Sequence, residues 1–465
     1  MFSKILIANR GEIAVRIAHT LRAMGIQAVA VFADPDRGEP HVRIADEAYP
    51  LEGATSGETY LRGDRIIEIA KQCGAEAIHP GFGFLSENAT FARQCAEAGL
   101  TFIGPPPEAI AAMGDKMVAK RMMDEAGVPT VPGFSGEGSE DLATLRAEAD
   151  RIGYPVLIKA AAGGGGKGMR VVSKSSEVDA AEREANAAFG DGRIFLERYV
   201  ERARHIEFQV FGDAHGNVVH LFERDCSIQR RHQKIIEEAP SPAVMPELRQ
   251  EMGEAAVKAA QAIGYTNAGT VEFMLDDQGR FYFLEMNTRL QVEHPVTELT
   301  VHRDLVRDQV MVAAGSPLPY AQDDLVQEGH AIECRIYAED ADRGFLPSTG
   351  TLAIYEEPSG PGIRVDSGVR QGSTVTVHFD PMLAKLIARG SDRAEAIARM
   401  KAALRRFPVL GVTTNIAFLR RIMEHPAFIA GDMHTRFLDE HPIAASPDEP
   451  PVAALLAAAL GSLQP

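Results

Sequence analysis

Glu285, Asn287, Arg289, Gln291 and Glu293 occupy every second position of one nine-residue segment. Alternate side chains of an extended chain share a face, so this spacing predicts one wall carrying two carboxylates, two amides and a guanidinium. Just upstream, the runs 270–275 and 280–287 flank Asp276-Asp277-Gln278-Gly279, a hairpin pattern that brings Glu272 towards Glu285. Glu272, Glu285 and Asn287 are hard oxygen ligands of the kind that hold Mg2+ shared with substrate phosphates. Arg289 offers a planar fork for a small carboxylate or bicarbonate, and Glu293 a general base. A charged, solvated strand face is the plainer use of alternation, but an arginine among two acids and two amides is unusual for one.

A second candidate is the run 160–168, where five glycines fall within the six positions 163–168 around Lys167. Glycine lets the backbone bring N–H groups close to an anion, and a triphosphate is the natural guest. Gly166-Lys167 is followed by Gly168 rather than Ser or Thr, and the loop joins two strand-like runs, so the P-loop pattern is rejected. No G-x-G-x-x-G follows the first strand, which reads Ala8-Asn9-Arg10-Gly11-Glu12, so NAD is not implied. Lys159 and Lys116 are placed to meet phosphates. A third cluster, 224–234, gathers three arginines at 224, 230 and 231 with His232 and Lys234. It is either an anion-attracting patch or a basic loop paired with neighbouring carboxylates.

These groups must be positioned by about three domains' worth of chain, since the protein has 465 residues. The opening alternates short apolar runs with helical patterns and predicts a doubly wound parallel sheet over 1–114. A helix over 115–126 leads into Gly127-Val128-Pro129-Thr130-Val131-Pro132-Gly133, whose prolines stop it and suggest a hinge or domain edge. Strand patterns dominate after residue 204, and an Ala/Leu-rich helix is expected over 453–463. The net charge is −17, which disfavours a general nucleic-acid or anionic-membrane surface. Four separated cysteines without a C-x-x-C pair argue against a disulfide framework or zinc ribbon and fit a reducing compartment. No apolar run approaches the roughly 20 residues of a membrane span. The first residues enter a strand-like run at once, and no signal or transit peptide is expected.

The segments 4–16, 79–88, Gly114-Asp115-Lys116, 163–168, 230–234, 285–298 and Glu333-Cys334-Arg335 together resemble the biotin carboxylase component of biotin-dependent carboxylases, within the ATP-grasp superfamily. The resemblance covers nearly the whole chain. It implies an α/β fold, α+β in parts: a Rossmann-like N-terminal domain at 1–114, an ATP-grasp region at 115–330 with a mobile lid at about 132–203, a C-terminal biotin carboxylase domain at 331–445, and a tail or linker at 446–465. The lid would hinge near 131–133 and around residue 200. It further implies ATP contacts from Lys116, Lys159, Gly165, Gly166, Glu197, Arg198, Tyr199, Val200, His205 and Gln229, with Glu272 and Glu285 at the nucleotide as well. Glu272, Glu285 and Asn287 would hold Mg2+ or Mn2+. Bicarbonate would be held by Lys234, Arg289, Gln291 and the backbone of Val292, with Glu293 as its base, and Arg335 would stabilise the enolate-like biotin ureido group. Phe82 stands where the family's His-Pro-Gly-Tyr-Gly-Phe segment has tyrosine, and His378 where an aromatic pair more often precedes the aspartate.

The implied activity is ATP- and bicarbonate-dependent carboxylation of biotin, the first half-reaction of an acyl-CoA or 2-oxo acid carboxylase. Another ATP-grasp ligase forming a carboxylate or carbamate is the alternative, and a nucleotide-binding regulatory protein would need a broken metal or base position, whereas Glu272, Glu285, Asn287 and Glu293 are intact. No Ala-Met-Lys-Met-like segment occurs, so biotin is expected on a carrier domain outside these residues, with a carboxyltransferase subunit as second partner. A homodimer or a larger carboxylase complex and a cytoplasmic location complete the expectation.

Overall fold

The computed structural model describes residues 1–135, 142–160, 169–181, 183, 194–231 and 233–443. Its first sheet is wholly parallel, in the order Glu47–Pro50, Gln27–Phe32, Lys4–Ile7, Ala77–His79, Thr101–Phe102. The inner strands are near-continuous apolar runs because helices cover both faces. Loop 80–88 leaves the end of Ala77–His79 and is held by Asn9, whose amide donates to the carbonyls of Pro80 and Phe82, both at 2.7 Å. Gly81 between them has φ +63°, and a Cβ there would lie 2.9 Å from the Asn9 amide nitrogen. Only glycine fits such a turn without displacing its anchor.

The second sheet has eight antiparallel strands: Phe281–Asn287, Asn267–Leu275, Arg204–Gly212, Val218–Arg230, Gln233–Ala239, His330–Tyr337, Met382–Gly390 and Ile363–Ser367. It runs unbroken across position 330. Alternation, reset by register shifts near Leu284 and Gln209, gives its first strands two unlike faces. Ile206, Phe208, Val210, Val271, Phe273 and Met286 form one core with the helix Pro246–Ala262, whose Ala255, Ala256, Ala259 and Ala260 permit close packing. The alternate residues Glu207, Gln209, Thr270 and Glu272 face the other way, yet they are also buried. That burial under the turn 288–293 and the helix His294–Val301 makes the polar face a site rather than a surface.

Among the described residues, a four-stranded antiparallel sheet, ordered Gly133–Ser135, Ile194–Arg198, Val156–Ala160, Met169–Val172, shares no strand pair with either of these two sheets. Its own small core includes Leu145, Ala149, Ile158, Val172 and Leu196. The glycine-rich run, with Gly165 and Gly166, the Lys159 side chain, His232 and the region 444–465 with its expected helix lie outside the described residues.

Candidate active site

Four charged residues stand in one row across four strands. Glu207 is the register partner of Glu272 on one side and of Arg224 on the other, and Glu272 pairs in turn with Glu285. The hairpin expectation for Glu272 and Glu285 is therefore met by direct opposition. Lys234 reaches over this row from the next hairpin. Its ammonium lies 2.5 Å from Glu207 Oε2, 2.7 Å from Glu272 Oε1 and 2.8 Å from Glu293 Oε1. Burial alone would discharge this amine, but three carboxylates hold its pKa well above the usual lysine value. Burial would also raise Glu293, yet Lys234, Arg335 and Arg224 hold that carboxyl well below the usual range.

Arg335 approaches Glu293 from the opposite end. Its Nη2 is 3.0 Å from Glu293 Oε2, and its Nε is 2.6 Å from Glu237 Oε1. Burial and the nearby Glu293 charge push Glu237 up to about 7, against the pull of Arg335. Cys226 Sγ stands 3.8 Å from Glu293 Oε1, its thiol pushed up by burial first and by Glu207 next.

The comb is not one extended wall. The strand ends at Asn287, and 288–293 turns into the helix His294–Val301 at Pro295, while Leu290 inserts fully into the core. Burying Leu290 and starting a helix with proline in its first turn both break the alternation. Three of the five, Asn287, Arg289 and Gln291, still meet by hydrogen bonding around Glu272, and Glu293 reaches the same carboxylate through Lys234. Asn287 Nδ2 and Gln291 Nε2 donate to Glu272 Oε1 at 2.7 and 3.1 Å, and Arg289 donates to Gln291 Oε1 at 2.5 Å and Asn287 Oδ1 at 2.9 Å. The third Arg289 nitrogen, Nε, binds Glu87 Oε2 at 2.9 Å. The Val292 carbonyl accepts from Lys385 Nζ at 2.8 Å.

The cluster 224–234 resolves towards carboxylate pairing. Arg224 is fully buried, donating to Glu207, Gln209, Thr270 and Thr297, and Arg230 binds Glu339 at 3.1 Å with its guanidinium over the Phe345 ring. Of the residues expected at ATP, His205 Nε2 lies 2.9 Å from Glu272 Oε2 and its Nδ1 is 2.9 Å from Gln229 Nε2, so both adjoin the carboxylate row. Lys116 Nζ stands 4.0 Å from Glu285 Oε2, at the start of a helix whose N-cap is Asp115. Glu197 lies apart from this cluster, on the four-stranded sheet, 3.4 Å from Lys120. The Arg198 and Tyr199 N–H groups donate to Pro132 and Pro155 carbonyls at 2.9 Å, and Val200 follows them half-buried.

Glu207, Glu237, Glu87 and Lys385 were not singled out by the sequence. Glu207 had a signal, since His205, Glu207 and Gln209 alternate on a strand flanked by Phe208 and Val210. A divalent cation fits the acid pair by donor chemistry. Burial and then the facing Glu272 charge raise the Glu285 carboxyl, a repulsion that a cation between them relieves. Asn287 adds an amide oxygen one pleat along, now taken by Arg289.

A buried carboxylate row, an ammonium bridging it to a candidate base, and a four-stranded sheet paired within itself agree with the ATP-grasp ligase class that the sequence resemblance implies. Residues 1–110 match the family described as biotin carboxylase, N-terminal domain; 115–321 the carbamoyl-phosphate synthase L chain, ATP binding domain; and 333–440 the biotin carboxylase C-terminal domain. The biotin carboxylase of Nostoc sp. is 53% identical over 443 residues, 94% of this chain and 99% of that protein. The mitochondrial methylcrotonoyl-CoA carboxylase subunit alpha of Arabidopsis thaliana is 53% identical over 94% of this chain, which spans 60% of that relative's length. The biotin carboxylase domain dimer of Hydrogenobacter thermophilus 2-oxoglutarate carboxylase, solved with MgADP, ADP and bicarbonate, is 48% identical, covers 96% of this chain and all of its own, and superposes with a TM-score of 0.89. The chain belongs to the biotin carboxylase family.

Proposed function

We propose that the chain carboxylates biotin on a separate carrier domain, using ATP and bicarbonate. The observation that carries this reading is Glu293, a buried carboxylate held ionised between Lys234 and Arg335 beside the Glu272–Glu285 pair. Bicarbonate enters between Lys234 and the Arg289 fork, with Gln291 and the Val292 backbone beside it, and displaces Arg289 from Asn287 and Gln291. Glu293 takes its proton. A bicarbonate oxygen attacks the γ-phosphorus of ATP, the bond to the ADP oxygen breaks, and carboxyphosphate forms. Glu272, Glu285 and Asn287 would hold a divalent cation, which would supply charge neutralisation at the phosphates. Carboxyphosphate then breaks its C–O bond to give carbon dioxide and phosphate, that phosphate takes the biotin N1′ proton, and N1′ attacks carbon dioxide while Arg335 stabilises the ureido oxygen.

Lys116, His205, Gln229, Lys159, Gly165, Gly166 and 197–200 are assigned to ATP. The lid at about 132–203 within a region 115–330, between units 1–114 and 331–445, is part of the same reading. It is supported by the separate pairing of the four-stranded sheet. Closing it keeps water from carboxyphosphate.

A carrier domain and a carboxyltransferase complete the proposed partners, and a second copy of the chain is supported by the relative solved as a dimer. Acyl-CoA and 2-oxo acid acceptors both occur in relatives' names, and the carboxyltransferase makes that choice. Four unpaired cysteines support a cytoplasmic or other reducing location, and no helix among the described residues is long and apolar enough to cross a membrane. The test is ADP release with Mg2+, bicarbonate and free biotin, each omitted in turn. Dependence on bicarbonate with stimulation by biotin is expected. Turnover indifferent to biotin would turn the reading to another ATP-grasp ligase.

A further inference from the structure

The strands His330–Tyr337 and Met382–Gly390 set Arg335 directly opposite Lys385. Cross-strand partners leave a sheet on the same face. The two side chains then run to adjacent residues: Arg335 donates to the Glu293 carboxylate at 3.0 Å, and Lys385 Nζ donates at 2.8 Å to the Val292 carbonyl, in the peptide unit that enters Glu293. Lys385 has 0% exposure. Fully buried lysines are rare and are held by partners. Here Glu12 stands 3.2 Å away, from the first turn of the helix Gly11–Ala23, and Asp366 3.8 Å away, on Ile363–Ser367. One nitrogen therefore gathers an N-terminal helix, a C-terminal strand and the turn that carries the candidate base. Nothing in the chemistry above requires this lysine to meet a substrate.

We propose that Lys385 is a positioning residue for the Val292–Glu293 peptide, fixing the backbone of the bicarbonate turn while Arg335 fixes the Glu293 carboxylate. This rests on the bicarbonate reading of that turn. A lysine serving only to fasten the helix to the sheet would lower stability when replaced, without selecting one substrate over another. A positioning lysine changes the response to bicarbonate, because the turn that receives that anion loses its tether, whereas the nucleotide contacts on other strands do not.

The experiment compares the unaltered chain with Lys385→Met and Lys385→Arg in bicarbonate-dependent ADP release, with thermal midpoints measured alongside. Lys385→Met is expected to raise the bicarbonate KM roughly tenfold or more, the scale of a small misplacement at a reacting centre, with the ATP KM within about twofold. Lys385→Arg, which keeps a donor and the charge, is expected to recover most of the loss. Should Lys385→Met not fold, the double change Glu12→Gln with Lys385→Met removes the carboxylate it strands and carries the same expectation. An unchanged bicarbonate KM, or both KM values and kcat moving together with the midpoint, overturns the inference. Absence of bicarbonate dependence in the unaltered chain instead overturns the functional reading on which it rests.

Discussion

One arginine connects two buried carboxyl groups of opposite character: Arg335 Nη2 lies 3.0 Å from Glu293 Oε2 while its Nε lies 2.6 Å from Glu237 Oε1. Glu293 is held well below the ordinary carboxylate range, chiefly by Lys234 and Arg335 against its burial, and Glu237 is pushed up to about 7 by burial. The guanidinium thus keeps the base ionised while it also binds a second carboxyl. Replacing Arg335 by Ala is expected to depress carboxylation of free biotin more than biotin-independent ATP cleavage, measured as carboxybiotin formed against ADP released. Equal loss of both would confine its role to Glu293.

Glu293→Gln keeps the shape and one acceptor oxygen, enough for the bond from Lys234 but not for that from Arg335 as well, and removes the basic oxygen pair. Turnover is expected to fall by roughly 10²–10⁴, the usual worth of a positioned base. ATP affinity, read by nucleotide titration, should stay within a few-fold, since the nucleotide residues lie on other strands. Retained turnover would remove Glu293 from the base role.

Much of this arrangement could be read from residue order, for a physical reason. Period-two alternation fixes side-chain direction while a strand stays regular, and the hairpin brings Glu272 near Glu285, but their direct opposition needs the register shift at Leu284, without which Glu272 would face residue 284. The same rule fails at 288–293, because Leu290 is drawn into the core and Pro295 opens a helix, neither of which alternation registers. Glu237 and Lys385 were invisible for another reason. Their partners, Arg335 and the Val292 carbonyl, lie about a hundred residues away in sequence, and only sheet order brings them together. Of the two uses left open for the cluster 224–234, Arg224 takes carboxylate pairing, fully buried with Glu207 as its register partner. The aromatic change at 378 leaves Phe379 in place, its ring 4.4 Å beneath the Arg10 guanidinium.

Glu87 on loop 80–88 binds Arg289 Nε at 2.9 Å and accepts from the Thr288 N–H at 2.9 Å. It therefore presents the fork that is assigned to bicarbonate. Glu87→Gln is expected to raise the bicarbonate KM about two- to fivefold, the modest worth of a half-exposed ion pair. The thermal midpoint should hardly move. A change confined to the ATP KM would separate Arg289 from the anion.

Arg224 answers a different question, how the row is held. It donates to Glu207, Gln209, Thr270 and Thr297 and has no exposure. Arg224→Met fills similar volume but strands Glu207 with Lys234 as its remaining cation. Breaking a buried pair from one side costs about 3–5 kcal/mol. A large fall in the urea midpoint is expected, and a variant as stable as its parent would show that Lys234 alone suffices for Glu207.

Glu12 allows the charge balance behind the site to be titrated. Burial is the largest influence and, with Asp366, lifts its carboxyl to about 7, while Lys385 and Arg364 pull it down. Because the folded value lies above the unfolded one of about 4.5, the group contributes stability that is fully present below that unfolded value and lost as pH rises to about 7. Glu12→Gln cannot lose a proton, so its thermal midpoint should gain on the parent's between pH 4.5 and 7 and keep a constant offset above. The full swing corresponds to roughly 3 kcal/mol for a buried group. An offset that stayed constant through that window would mean that Lys385 holds Glu12 ionised throughout, and the lysine's charge would then be balanced at every pH at which the site works.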